Sequence, residues 1–365
     1  MTASINAATE HHALEGGEAG AVSVIIPARN EERNIERAVR SVGLQKGVRE
    51  IVVVDDDSSD RTGEILERLE IEIRLLRIIH LDSLPEGWGG KNHAAAAGAE
   101  MAAGEWLLFT DADTEHLPGS LEAVLERAKE ENADLLSLSP GQQTLTWWEK
   151  SVIPLVFVQL ARLYRFDEVS NPASPAAAAN GQYLLIRRTV YNNIGGHAAV
   201  RAEILEDVEL SKRVKTAGGR LLFLPGADWV RTRMYRSFGE MWQGWTKNLY
   251  LLYGRKLWPM LKTFAEVWTL DFLAPLGLLV LCILIAAGRG NNAALLAAVL
   301  CFAVVVMRQW AYRQKLVGLG FDPNLANYRI LGAGILGLLL LNSARAYRLA
   351  GKVQWKGRHY PAKGR

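Results

Sequence analysis

Cysteine is almost missing from this chain: Cys282 and Cys301 are the only two in 365 residues. Both lie inside apolar runs, which leaves no disulfide framework and no cysteine zinc site, so they read as packing residues. Residues 1–20 lack a basic start and an apolar core; small, polar and aperiodic, they are expected to be a disordered tail rather than a signal peptide. Glycine is missing where a dinucleotide fold needs it. The turn after the first strand reads Pro27-Ala28-Arg29-Asn30-Glu31-Glu32 instead of Gly-x-Gly-x-x-Gly, which argues against a nicotinamide-dependent oxidoreductase. Gly89-Gly90-Lys91-Asn92 has neither the spacing nor the Ser or Thr of a P-loop. A large charge imbalance is also absent. With 42 Lys and Arg against 39 Asp and Glu, the net charge is +3, and nucleic acid is not an expected partner.

Asp, Glu and Lys are absent from Phe272–Gly288, Gly290–Met307 and Ile330–Ala344, and only Arg289 separates the first two. Each segment is near or just below the ~20 residues that cross a bilayer. Trp268, Trp310 and Tyr328 lie near their ends, like an interfacial belt. Residues 256–365 are therefore expected to be membrane-anchoring helices with a basic tail, and residues 21–255 a soluble α/β domain.

In that domain strands and helices alternate. Val22–Pro27, Glu50–Asp55, Ile73–His80, Trp106–Thr110 and Asp134–Leu138 read as strands. Helices follow through Ile35–Val42, Thr62–Leu69, Ala94–Ala103 and Leu121–Lys129. Repeated βα units imply a doubly wound, mainly parallel sheet, which binds ligands beyond the carboxyl ends of its strands. The polar motifs fall there.

Leu107-Leu108-Phe109-Thr110-Asp111-Ala112-Asp113 is the most informative of them. A buried strand delivers two carboxylates to the sheet edge, and like charges held so close call for a cation. Hard oxygen ligands suit Mg²⁺ or Mn²⁺ carrying a diphosphate, although Asp-x-Asp also occurs in plain surface turns. Asp55 and Asp56 end the second strand, ahead of a capping run Ser58-Ser59-Asp60, and could accept from a base N–H or ribose hydroxyls. Lys91, at a helix start, could face a phosphate, or the stretch could be an ordinary cap. Glu206-Asp207 opens a further helix; such acids often only complement the dipole, but beside a metal-diphosphate site they offer a general base.

Val-Ile-Ile-Pro-Ala-Arg-Asn-Glu-Glu, Val-Val-Val-Asp-Asp-Asp-Ser-Ser-Asp, Gly-Lys, Thr-Asp-Ala-Asp and Glu-Asp stand in the order and spacing of the family 2 glycosyltransferases, which residues 22 to about 255 resemble. The chain is also similar to their membrane-bound hopanoid-associated, carotenoid and ceramide subgroup, including the apolar tail with Trp355-Lys-Gly-Arg358-His-Tyr360. The resemblance implies a GT-A-type fold and a nucleotide-sugar donor, with a UDP-sugar expected. It places Pro27, Arg29, Glu31, Asp55, Asp56, Lys91 and Asp111 around the donor, Asp113 with Asp111 on the metal, and Asp207 as the base. Many membrane members carry Gln-x-x-Arg-Trp. Here Met241-Trp242-Gln243-Gly244-Trp245 keeps Trp245 but has Gly244 in place of the arginine, which argues for transfer of a single sugar. Arg231 or Arg233 is then the expected cation for the leaving diphosphate.

The expected reaction is inverting, metal-dependent transfer to a hydroxyl of a membrane lipid such as a hopanoid, carotenoid, ceramide or glycerolipid. The alternatives are transfer to a polyprenyl phosphate and a non-catalytic sugar-nucleotide-binding membrane protein. Residues about 147–166, with Trp147, Trp148 and the apolar run Val152–Leu163, read as an interfacial helix lying on the bilayer, core packing being the alternative. The expected location is the cell membrane, multi-pass, with the catalytic domain cytoplasmic. Residues 345–365 carry seven Lys or Arg and no acid, which also predicts a cytoplasmic tail. Three crossings cannot satisfy both, so one segment, the short last one, is expected to be re-entrant or interfacial.

Overall fold

A computed structural model describes residues 22–350, 352–355 and 358–361. Segment 1–20, expected to be disordered, lies outside the described residues. The first half runs β1 (Val22–Ala28), α1 (Ile35–Gly43), β2 (Val48–Asp55), α2 (Thr62–Glu72), β3 (Leu76–His80), α3 (Gly90–Met101), β4 (Trp106–Phe109), β5 (Thr114–His116), α4 (Ser120–Glu130) and β6 (Leu135–Gln142). It continues with α5 (Trp147–Leu163), α6 (Phe166–Ser170), β7 (Leu184–Arg187), α7 (Arg188–Asn193), α8 (Glu206–Thr216), β8 (Leu221–Thr232) and α9 (Phe238–Leu252). Then come α10 (Leu257–Glu266), α11 (Ala274–Ala286), α12 (Asn292–Gly318), α13 (Arg329–Arg345) and the antiparallel pair β9 (Lys352–Trp355) and β10 (Arg358–Pro361).

One eight-stranded sheet takes the order β3-β2-β1-β4-β7-β6-β8-β5. Four of its seven pairings are parallel and three antiparallel, so the sheet is mixed and mainly parallel. The continuous apolar runs of β1, β2 and β4 are buried on both faces, as parallel strands covered by helices must be. Ile35, Ala38, Val39 and Val42 are the buried stripe of α1. Three strands carried little signal in the sequence: β5, β7 and β8. The first two are three and four residues long, and β7 runs antiparallel between β4 and β6.

The interfacial reading of α5 is corrected. Val152, Val156 and Phe157 are buried in one apolar cluster with α9, α13 and the foot of α12. Gly332 of α13 packs so tightly on the Ser151 carbonyl that no Cβ fits between the helices. The apolar side of α5 meets protein rather than lipid.

The tail divides by burial. Residues Leu257–Ala286 and Asn292–Gly318 are long and apolar enough to cross a membrane, and only 6% of each apolar window is buried. They form an antiparallel hairpin, with Leu279, Ile283, Leu296, Val299 and Phe302 exposed. In the third candidate, Pro323–Leu349, 44% of the apolar window is buried. Its helix α13 lies along α5 and α9. Near its far end, the Ser343 hydroxyl donates to the Thr246 carbonyl at 2.7 Å and the Tyr347 hydroxyl to the Lys247 carbonyl at 2.6 Å.

Candidate active site

The loops at the carboxyl ends of β1 and β2 are stitched together. Asn30, held at φ 54°, accepts from the Ser59 N–H at 2.8 Å and donates its own N–H to Ser58 at 3.0 Å. The Glu31 N–H donates to Thr62 at 2.8 Å and the Glu32 N–H to Asp60 at 3.1 Å. These loops form one wall of a cavity of about 720 Å³. Pro27, Arg29, Glu31, Asp56, Asp111 and Asp113 line its polar part, at the sheet edge. Phe157, Leu160 and Ala161 of α5, Tyr164 just after it, Leu252 of α9 and Leu319 at the foot of α12 line its apolar part.

Asp111 and Asp113 lie on the turn after β4, and Ala112 between them is buried in the core. Both aspartates line the cavity. The Lys91 ammonium lies 2.7 Å from Asp111 and 2.8 Å from Glu206, bridging the β4 turn to the start of α8. Burial alone would depress this ammonium, but Asp111, Glu206 and Asp207 together hold it well above the usual lysine range. Asp207 accepts from the backbone N–H groups of Gly181 and Val208, each at 2.8 Å. Burial, reinforced by Glu206, pushes its carboxyl up to about 7, against the pull of Lys91 and the two N–H groups. A carboxylate that titrates near neutrality is suited to general-base work.

Trp245 is 2% exposed and lines the same cavity, edge-on to Phe157 and Tyr235. Gly244 has a local cause. A Cβ there would stand 2.5 Å from Cε1 and 2.7 Å from Cζ of Tyr235, so the Tyr235 ring occupies the space a side chain at 244 would need.

Three expected donor residues lie elsewhere. Asp55 does not line the cavity; it accepts from the Ser58 N–H at 3.2 Å and stands 3.5 Å from His80, holding the loop after β2. Arg231 is exposed on β8, paired in register with Glu115 of β5. Arg233 points into the first turn of α5, 2.7 Å from the buried Glu149. Neither arginine lines the cavity, whereas Arg33 and Arg236 do. Asn34, Asn180 and Gln182 are cavity residues that sequence reasoning missed, and nothing in their local sequence marked them; Glu206, half of the Glu-Asp pair read as a candidate base, lines the cavity too.

The model of Glycosyl transferase family 2 matches residues 23–207. The chain belongs to glycosyl transferase family 2. This transferase is 29% identical over 238 residues to the 4,4'-diaponeurosporenoate glycosyltransferase of Staphylococcus haemolyticus, an alignment covering 64% of this chain and 62% of that protein. It is 24% identical over 343 residues to the enzyme of that name from Staphylococcus aureus strain USA300, covering 93% and 88%. The alignment to the first thus spans less than two thirds of that relative. The fold is similar to that of a mannosyltransferase from Pyrobaculum calidifontis solved with GDP-Man and Mn²⁺, at TM-score 0.52 and 19% identity over 87% of each chain. The GT-A-type architecture expected of the transferase is therefore present. Among the described residues no three His, Cys, Asp or Glu side chains gather as a metal site. The two carboxylates of the β4 turn are among the hard-oxygen groups that line the cavity.

Proposed function

We propose that this transferase moves a single sugar, with inversion, from a nucleotide sugar to a membrane lipid. One observation carries the reading: a single cavity joins the Asp111/Asp113 turn and Asp207 to an apolar wall made by α5 and the foot of the α11–α12 hairpin. A soluble sugar acceptor has no need of Leu160, Ala161, Leu252 and Leu319 along its path, whereas a lipid body is matched by them. The carotenoid named in the relatives' activity is an acceptor of that chemistry.

Asp207 takes the proton of the acceptor hydroxyl as that oxygen bonds to the anomeric carbon. The bond from that carbon to the diphosphate oxygen breaks, and the nucleoside diphosphate leaves with the electron pair. Glu206, the neighbouring carboxylate, is tied to Lys91 and is not placed as a nucleophile, which favours one direct displacement. Asp111 and Asp113 would hold Mg²⁺ or Mn²⁺, which as a Lewis acid stabilises charge on the departing diphosphate. Asp56, Arg29 and Glu31 line the cavity and are the residues assigned here to the nucleoside end, and UDP-sugars are the first donors to try.

We place the enzyme in the cell membrane through the α11–α12 hairpin. Its exposed arms, Leu273 to Gly288 and Asn291 to Met307, are each about 25 Å long at ~1.5 Å per residue, close to a hydrocarbon core of ~30 Å. Two crossings return the chain to its starting side. With α13 along α5 and α9, the tail then lies on the catalytic side, and its basic residues favour the cytoplasmic face.

The test is transfer by the full-length protein from labelled UDP- and GDP-sugars to extracted lipids, with Asp207→Asn and Asp113→Asn beside it. Each variant is expected to lose at least about 100-fold in kcat. Near wild-type turnover by either one sinks the assigned roles.

A further inference from the structure

Four arginines converge where the loop after β1 meets the segment after β8. Burial, and then Arg233, Arg37 and Arg33 in turn, push the Arg236 guanidinium below its usual range, with Asp113 opposing them. Cations gathered in this way repel one another unless anions intervene.

Two of the four are matched by an acid within the protein: Arg233 stands 2.7 Å from Glu149, and Arg37 lies 3.9 Å from Glu115, although its own Nε makes no hydrogen bond among the described residues. Arg236 is not. Among the described residues its guanidinium forms no ion pair and a single hydrogen bond, from Nη2 to the Asn34 side-chain oxygen at 2.5 Å. Its Nε is buried without a partner. An N–H donor shut away from water without an acceptor is costly even on a half-buried side chain, so such a group points to a ligand that completes it.

The place of Arg236 names the ligand class. It lines the cavity with Asn34 and Asp113, at the polar part rather than against the apolar wall. A planar fork of donors matches the paired oxygens of a phosphate. Its backbone is fixed as well, since the Arg236 N–H donates to Glu240 at 2.8 Å in the first turn of α9. The residue before it, Tyr235, is seated over Gly244.

We propose that Arg236 is a binding residue for the diphosphate of the donor, a second cation beside Lys91. The proposal rests on the nucleotide-sugar reading. It assigns to Arg236 the charge on the leaving group that Arg231 or Arg233 was expected to supply.

The probe is inorganic pyrophosphate, titrated by calorimetry into the full-length protein in detergent and magnesium buffer. Arg236→Gln is expected to weaken pyrophosphate binding by about tenfold or more, while exposed Arg231→Gln binds as the wild type does. Wild-type affinity in Arg236→Gln overturns the proposal. Should that variant fail to fold, Arg236→Lys decides the matter: it keeps the charge but loses the fork, so affinity must fall several-fold, and an unchanged value again overturns the assignment. The two readings fail separately. A protein that transfers sugar while Arg236→Gln binds pyrophosphate normally refutes this residue alone. Pyrophosphate binding that depends on Arg236, without transfer from any nucleotide sugar, refutes the transferase reaction and leaves the anion site standing.

Discussion

The backbone N–H of Gly181 donates to Asp207 at 2.8 Å, joining the segment that leads into β7 to the first turn of α8. A second backbone N–H, from Val208, holds the other carboxylate oxygen. The proposed base is thus held both by the start of its own helix and by a segment 26 residues earlier in the chain.

The pH dependence follows. Asp207 must be ionised to accept a proton, and its carboxyl is raised to about 7. The kcat for transfer is expected to rise with pH through an acid limb near 7 and to be small at pH 5. A stopped assay from pH 5 to 9 checks this; a rate already flat from pH 5 upward takes Asp207 out of the role.

Lys91→Met removes the cation between Asp111 and Glu206. Breaking a fully buried pair costs about 3–5 kcal/mol. Because the Lys91 side chain is 39% exposed, the expected loss is nearer ~1–3 kcal/mol. Denaturant unfolding measures it. Donor KM should rise as well, and a variant with unchanged stability and unchanged KM would show that the bridge has no part in either.

Gly244→Ala introduces a Cβ into the Tyr235 ring. Overpacking of this kind costs about 1–3 kcal/mol, and moving Tyr235 also moves Arg236. We expect a lower melting temperature together with weaker donor binding. In a Tyr235→Ala background, itself destabilised by the lost ring, Gly244→Ala is expected to cost little further stability, because the added methyl then meets no ring.

The pair Asp55 and Asp56 should separate by experiment. Asp56→Asn is expected to raise donor KM, since Asp56 lines the cavity. Asp55→Asn is expected to lower thermal stability first, because its oxygens hold Ser58 and His80. Equal effects of the two on KM contradict the assignment.

Truncation divides the tail in the same manner. Ending the chain after Tyr253 strips α13 from the apolar cluster of α5 and α9, so that protein is expected to aggregate rather than sit on liposomes. Replacing only 273–307 by a short polar linker keeps α13 and removes the exposed arms. That variant is expected to stay folded and need less detergent, as size-exclusion chromatography can show.

Some of this was legible from local residues alone. The apolar runs of β1, β2 and β4 are buried on both faces, so period and composition announce them, and the carboxylates that follow β4 inherit their place at the sheet edge. The Glu-Asp pair at α8 was likewise readable, because a helix start next to such a sheet can aim few groups at the cavity. Other choices needed the third dimension. The uniformly apolar α5 says that its surface is buried, not whether lipid or α13 buries it. Arg231, Arg233 and Arg236 are equivalent in composition; where β8 ends at Thr232 decides that one faces solvent, one meets Glu149 and one turns to the cavity. The chain by itself determined five of the eight strands, the carboxylates that follow β4 and the apolar tail, because those depend on nearest neighbours along the backbone. Packing between distant segments decided which arginine lines the cavity, which apolar helices stay exposed, and how Lys91 unites Asp111 with Glu206, because those depend on which residues fold against one another.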